Sequence, residues 1–419
     1  SMATIDKRVS EVLRVKFRLG LFDQPYVADT KAADRVGGAD RNMDFVKQMQ
    51  QQALVLLKNE NNILPLDKRQ IKKVLVTGPL ADEDNFMTSR YGPNGLETVT
   101  VLAGLRNYLK GIAEVDYAKG CDIVDAGWPA TEILPAPMSE QEKHGIAEAV
   151  AKAGESDVII AVLGEDEYRT GESRSRTSLD LPGRQQQLLE ALHATGKPVI
   201  LVLINGHPLT VNWANAYIPA ILESWFPGCQ GGTVIAETLF GEHNPGGKLT
   251  VTFPKSVGQI ELNFPFKPGS HGSQPKSGPN GSGATRVIGE LYPFGFGLSY
   301  TTFAYSDLEV SPLRQRTQGE YTVKVNVTNT GKRTGDEVVQ LYVRDKVSSV
   351  ITYDSQLRGF ERISLKPGET RQVTFSLKPE DLQILDRNMN WTVEPGEFEV
   401  MIGASSQDIR LKKTITALP

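Results

Sequence analysis

Six consecutive apolar residues, Val158 to Leu163, stop at Gly164 and run straight into a crowd of charge: Glu165, Asp166, Glu167, Arg169, Glu172, Arg174 and Arg176. A short, wholly apolar run bounded by glycine reads as a strand buried on both faces. The pattern recurs at residues 74–78, 198–204 and 220–225, with a shorter strand at 114–117. Helix-length stretches lie between the runs, at 101–109, 140–153, 183–194 and 232–240. Such alternation predicts an α/β fold, a mostly parallel open sheet with helices on both faces. The charged loop after 158–163 then sits at the carboxyl edge, where ligands of open α/β sheets bind.

The flanking segments are less regular. Residues 5–19 place Ile5, Val9, Val12, Leu13 and Phe17 at helical spacing, an apolar face without an obvious partner in the sequence that follows. Residues 29–41 read as a polar connector and 43–58 as a second amphipathic helix. Residues 248–253 read as a closing edge strand, ended by Pro254. A Gly-, Ser- and Pro-rich loop is expected at 267–289. From Phe303 the period changes to two, in runs at 321–328, 338–343, 372–377 and 396–403. Turns at Asn329-Thr330-Gly331, Lys366-Pro367-Gly368 and Glu394-Pro395-Gly396 separate these runs. They predict an all-β sandwich of the fibronectin or immunoglobulin type, without a disulfide because this part holds no cysteine. The expected division is a connector at 1–30, an α/β domain at 31–255, a linker at 256–302 and the sandwich at 303–419.

Composition removes several function classes. The chain is 39% hydrophobic and 23% charged, ample for a core, and its net charge of −4 with dispersed Lys and Arg speaks against nucleic acid. No apolar run approaches the ~18 residues of a membrane span. Cys121 and Cys229 lack metal-ligand spacing and read as buried thiols, with a disulfide between them left open. The five histidines are scattered. Gly295-Phe296-Gly297 follows the end of the sheet, so it is no dinucleotide loop, and no phosphate loop or nucleophile elbow appears. Neither a cofactor nor a metal is expected.

The loop itself offers Glu165, Glu167 and Glu172 as competing acids, with Asp166 a weaker fourth. They are either solvated partners of Arg169, Arg174 and Arg176 or the source of one proton donor. Retaining sugar hydrolysis needs two carboxyl groups about 5–5.5 Å apart. The loop supplies one, and no equally well-placed second carboxylate appears, Asp82 and Asp84 reading equally well as turn residues.

Several segments then match a known family in order: ALVLLKNENNILPL at 53–66, VLVTGPLAD at 74–82, ESWFPGCQGG at 223–232, GEHNPGGKLTVTFP at 241–254, LYPFGFGLSYTTF at 291–303 and DEVVQLYVRD at 336–345. On these the chain resembles the C-terminal part of glycoside hydrolase family 3, the β-glucosidases and β-xylosidases. The resemblance implies a retaining β-glycosidase acting on β-linked oligosaccharides or glycosides. Its nucleophilic aspartate lies in an N-terminal β/α barrel whose motif is absent here; RVKFRLGLFDQPY at 14–26 resembles the segment that leaves that barrel, which implies that residues 5–19 are its tail. The chain alone is therefore expected to be inactive. The family's acid/base glutamate precedes an arginine and an L-x-L-P segment, here Arg176 and residues 179–182, which implies Glu172. Glu165, resembling a recurring Gly-Glu, is the rival. Arg174 and Arg176 would orient the acid. Arg90 and Tyr91, where some relatives carry tryptophan, would line the leaving-group subsite. A non-catalytic carbohydrate-binding or scaffolding protein of the same fold is the alternative.

Overall fold

Val158, Ile160 and Val162 belong to one hydrophobic core, and Ile159, Ala161 and Leu163 to another. Successive strand residues face opposite sides, so a strand apolar at every position requires cover on both. The computed structural model describes residues 1–92, 97–259, 262–268, 287 and 289–419. Most of the loop expected at 267–289 therefore lies outside the described residues.

Residues 1–48 form one compact unit and 49–419 a second. The first holds α1 (Met2–Arg18), α2 (Ala32–Gly37) and the start of α3 (Asp40–Ala53). No side chain of α1 is buried, and Ile5, Val9, Val12 and Phe17 are all exposed.

The second unit begins with a six-stranded sheet. Its strands are β1 (Val55–Asn59), β2 (Lys73–Thr77), β3 (Glu114–Ala118), β4 (Val158–Gly164), β5 (Val199–Ile204) and β6 (Ala220–Glu223), in the order β1-β6-β5-β4-β2-β3. All neighbours are parallel except β1, which pairs antiparallel with β6. Between the strands run α4 (Val101–Tyr108), α5 (Glu140–Gly154), α6 (Gln185–His193), α7 (Asn212–Tyr217) and α8 (Gly231–Leu239). Helices α4 and α8 fill one core with Leu102, Leu105, Ile235 and Leu239. Helices α5, α6 and α7 fill the other with Ala149, Leu188, Leu192 and Ala214. Thr100 caps α4, and Ser139 with Glu142 forms a capping box on α5, satisfying first-turn N–H groups.

The structure corrects two readings. The helix expected over 43–58 ends at Ala53, and β1 follows it. The run Leu54–Leu57 is apolar at every residue, and both faces of β1 are buried, so sheet pairing replaces helical periodicity there. Residues 248–253 do not form an edge strand. Phe253 makes one isolated bridge to Tyr292, and β1 occupies the edge instead. The cysteines are both free and buried.

Beyond residue 302 the fold is a sandwich. One sheet holds β7 (Phe303–Ser311), β9 (Tyr321–Asn329) and β12 (Thr370–Leu377). The other holds β8 (Arg314–Arg316), β10 (Gly335–Asp345), β11 (Gln356–Leu365), β15 (Gly396–Gly403) and β16 (Ile409–Leu418), while β13 (Ile384–Leu385) and β14 (Trp391–Thr392) form a small ribbon. Strand β9 alternates strictly, with Tyr321, Val323, Val325 and Val327 buried against Val339, Leu341, Val400 and Ile402. Gln340 of β10 donates to the carbonyl of Gly295 at 3.0 Å, which ties the sandwich to the Gly-Phe-Gly turn.

What matters for function is the sheet order. From the neighbours β2 and β4 the chain proceeds in opposite directions, to β3 on one side and to β5 and β6 on the other. Their carboxyl ends therefore open the crevice of a topological switch point.

Candidate active site

Gly164 ends β4 with φ of +140°, and a Cβ there would sit 1.9 Å from the carbonyl oxygen of Ile204. Only glycine lets the chain leave the sheet this close to β5. The side chain of Gln185 locks the exit, accepting from Gly164 N–H at 2.8 Å and donating to its carbonyl at 2.9 Å.

Glu165, the next residue, is fully buried. Its carboxylate accepts from Arg176 Nη1 at 2.5 Å, meets His207 Nδ1 at 3.0 Å and takes the backbone N–H groups of His207 at 3.1 Å and Gly206 at 3.4 Å. Burial pushes this carboxyl up. The hydrogen bond and charge of His207, with Arg176, outweigh burial and hold it below the usual glutamate range. Arg176 is only 4% exposed and also donates to Glu132 at 2.9 Å and to the carbonyl of Asp180 at 2.7 Å. Glu132 accepts in addition from Thr177 Oγ1 at 2.8 Å. Beside this network Asp166 pairs with Arg169, whose guanidinium lies 4.8 Å from the ring centre of Trp128. Four of the seven charges that crowd the loop are thus paired with one another or with Glu132 beneath it.

Glu172 is placed differently. It is exposed, and its carboxylate makes no hydrogen bond or ion pair among the described residues. Its backbone, by contrast, is pinned on both sides. Glu172 N–H donates to the hydroxyl of Tyr91 at 2.7 Å, and Arg90 Nη1 donates to its carbonyl at 2.8 Å. Gly171, at φ +97°, lies under Tyr91, whose hydroxyl would come within 2.9 Å of a Cβ at that position. Ser173 follows with φ +61°, a left-handed conformation unusual outside glycine. The loops after β2 and β4 are thereby stapled together, and the Glu172 side chain stands free at their junction. Arg90 and Tyr91 reach the loop's backbone, and Arg174 is exposed beside it. Residues 93–96 of the β2 loop lie outside the description. Asp82 accepts from Thr100 at 2.9 Å at the start of α4, and Asp84 lies in a single turn of 3₁₀ helix.

The ends of β5 and β6 contribute groups that sequence reasoning did not single out. Glu223 is fully buried and accepts from Trp225 N–H at 2.8 Å and from Asn205 at 3.2 Å. Burial pushes its carboxyl up to about 8, and the charge of Glu165 adds to the rise, so it keeps its proton at neutral pH. Trp225 and Phe226 pack inward, Trp225 against Phe253 with ring centres 5.9 Å apart. The signal that pointed to Glu165, a polar residue ending an apolar strand, also marks Asn205 and Glu223. Glu132 has no such signal: it lies 44 residues from Arg176 in sequence and meets it only through the fold.

An exposed carboxyl group on a doubly anchored loop, above a buried and ionised carboxylate, can exchange a proton with a ligand entering the crevice. Known proteins share this frame. Residues 54–300 match the glycosyl hydrolase family 3 C-terminal domain, and residues 337–406 match a fibronectin type III-like domain. A β-xylosidase of Formosa agariphila is 42% identical over 98% of this chain, and a periplasmic β-glucosidase of Salmonella typhimurium is 39% identical over 98%. A β-glucosidase structure from Erythrobacter marinus superposes with a TM-score of 0.85 at 37% identity, covering 96% of this chain and 54% of that one. The chain spans about half the length of the curated relatives it matches, 55% of both the xylosidase and the glucosidase.

Proposed function

The chain belongs to glycoside hydrolase family 3, and from that membership we propose that it carries the acid–base half of a retaining β-glycosidase site, with Glu172 as the acid/base. The observation that carries this reading is the contrast between the two rival glutamates. Glu165 is buried, ion-paired and held ionised, whereas a general acid must carry a proton at the working pH. Glu172 is exposed at the sheet's switch point, and its carboxylate is free of internal partners among the described residues. Arg176, which beside Glu172 would oppose protonation, is directed to Glu165 and Glu132 instead.

In this reading Glu172 protonates the glycosidic oxygen as the bond to the anomeric carbon breaks. An aspartate of a β/α barrel, outside this chain, attacks that carbon and forms a glycosyl-enzyme. Glu172, now ionised, takes a proton from the water that releases the sugar. Arg90 and Tyr91 set the loop's height rather than contact the reacting atoms, and Arg176 acts through Glu165.

The chain alone is expected to release no nitrophenol from aryl β-glucosides or β-xylosides. Turnover by the isolated chain that disappears in Glu172→Ala would overturn the division of labour. In an enzyme that carries this chain together with a barrel, Tyr91→Phe removes the hydroxyl that accepts from Glu172 N–H. The loss of about 0.5–1.5 kcal/mol of orienting interaction should lower kcat by roughly two- to tenfold, with little change in melting temperature. An unchanged kcat would remove Tyr91 from the positioning role.

A further inference from the structure

A polar cavity of 510 Å³ lies beside the acid loop, between the loop's return limb, α6 and the start of α7. Its volume falls in the range of sites that enclose small ligands, about 300–1,000 Å³. Two indoles line it, Trp128 and Trp213. Arg169 covers one face of Trp128, and Trp213 is braced by His193 and Tyr217 at ring distances of 5.5 and 5.0 Å. Both rings are therefore held rather than loose. The side-chain oxygen of Gln187, also in the wall, is buried and has no hydrogen-bond partner among the described residues. A buried acceptor without a donor is costly, so turning the half-buried Gln187 amide toward the cavity to meet an occupant's O–H or N–H would be favourable.

The charge of the wall narrows the choice. Asp125, Glu132, Asp180 and Glu190 stand against Arg176 and Arg184. Both arginines are already engaged, Arg176 by Glu132 and Glu165, Arg184 by Glu142 and the carbonyl of Ala136. No guanidinium is left for an anion, and the acidic excess repels one. Held indoles, planar carboxylates and an acceptor in want of a hydroxyl donor suit a neutral sugar ring, whose axial C–H groups lie on aromatic faces and whose hydroxyls donate to carboxylate and amide oxygens. Because Arg176 and Asp180 belong both to this wall and to the network beneath Glu172, the cavity adjoins the reactive loop.

We propose that the cavity bounded by Trp128, Trp213 and Gln187 is a binding site for a neutral pyranose unit, separate from the position at which Glu172 would act. The choice of gluco- or xylo-configured sugars rests on the proposed glycosidase reading; the existence of the site does not. The site lies wholly within this chain, so it should bind without a barrel.

The test is titration of the intact chain, labelled with fluorotryptophan, with cellobiose and xylobiose, followed by fluorine NMR and calorimetry. Four tryptophan signals are available. Those of Trp128 and Trp213 should move together and saturate, while those of Trp225 and Trp391 stay in place. Gln187→Leu, which keeps the volume and removes the acceptor, should weaken binding about tenfold or more at an unchanged melting temperature. Glucuronic acid should bind more weakly than glucose. Absence of saturable shifts at concentrations of order tens of millimolar would overturn the proposal and leave the cavity to water. Equal binding by the Gln187 variant, or binding that moves only Trp225, would also overturn it. Glu172→Gln separates the two readings, since it should leave this binding untouched. If sugar fails to bind while Glu172→Gln still cripples a barrel-bearing enzyme, only the present inference falls. If sugar binds and Glu172→Gln is fully active, only the catalytic assignment falls.

Discussion

Glu172→Gln, in an enzyme carrying this chain and a β/α barrel, should lower kcat/KM on oligosaccharides and alkyl glycosides by roughly 10²–10⁴-fold, the usual contribution of a positioned proton donor. Dinitrophenyl glycosides should be far less affected in the glycosylation step, because a leaving group that departs as a stable anion needs no proton. The loss should therefore grow with the basicity of the leaving group. Glutamine keeps the size of the side chain and leaves the backbone bonds to Tyr91 and Arg90 available, so the change isolates the proton. Equal slowing of activated and unactivated substrates would remove Glu172 from the acid role. A leaving-group-dependent loss in Glu165→Gln would move that role to Glu165, despite its burial and its ion pair with Arg176.

Arg176→Met should be the most destabilising single change in the site, at about 3–5 kcal/mol near neutral pH. It removes the guanidinium shared by two carboxylates whose side chains are 0% and 7% exposed, Glu165 and Glu132, leaving them His207, Thr177 and backbone N–H groups. The pH dependence distinguishes this from simple loss of packing. Glu165 has a folded pKa below its ordinary value of 4.5, so its stabilising contribution is fully present above that value and is lost as pH falls through the depressed one. Without Arg176 the depression shrinks. The gap between variant and native chain, measured by denaturant melts, should be widest at pH 6–8 and should narrow below about pH 4.5. A triple variant with Glu165→Gln and Glu132→Gln added should recover much of the loss, because no unpaired charge then remains. A gap that is the same at acid and neutral pH would show that Arg176 acts through its packing alone.

The degree to which these features were legible in the sequence follows from the range over which each interaction acts. The strands at 158–163 and 198–204 were readable because burial on both faces demands apolar residues at every position, a purely local signature. The strict alternation of 321–328 marked a half-buried strand for the same reason. The stretch 54–59 failed that logic. It follows directly on the polar helical turn of Gln50–Gln52, and its identity as an edge strand depends on β6, more than 160 residues away. Glu172 could be reached through its spacing from Arg176 and the Leu-Asp-Leu-Pro segment. Nothing local distinguished its surroundings from those of Glu165.

By itself, then, the sequence determined the class of each layer, the charged loop at the end of β4 and the family, since all three rest on contiguous patterns of side-chain type. The tertiary structure alone decided which of the loop's charges are spent. Arg176 finds Glu132 across 44 residues, and Glu165 finds His207 across 42. These contacts depend on the order of strands in the sheet, and burial in low dielectric then turns them into a fixed ionised network. Of the seven charges of the loop, Glu165, Asp166, Arg169 and Arg176 thereby form a paired foundation, while Glu172 is an exposed carboxyl group held by its backbone.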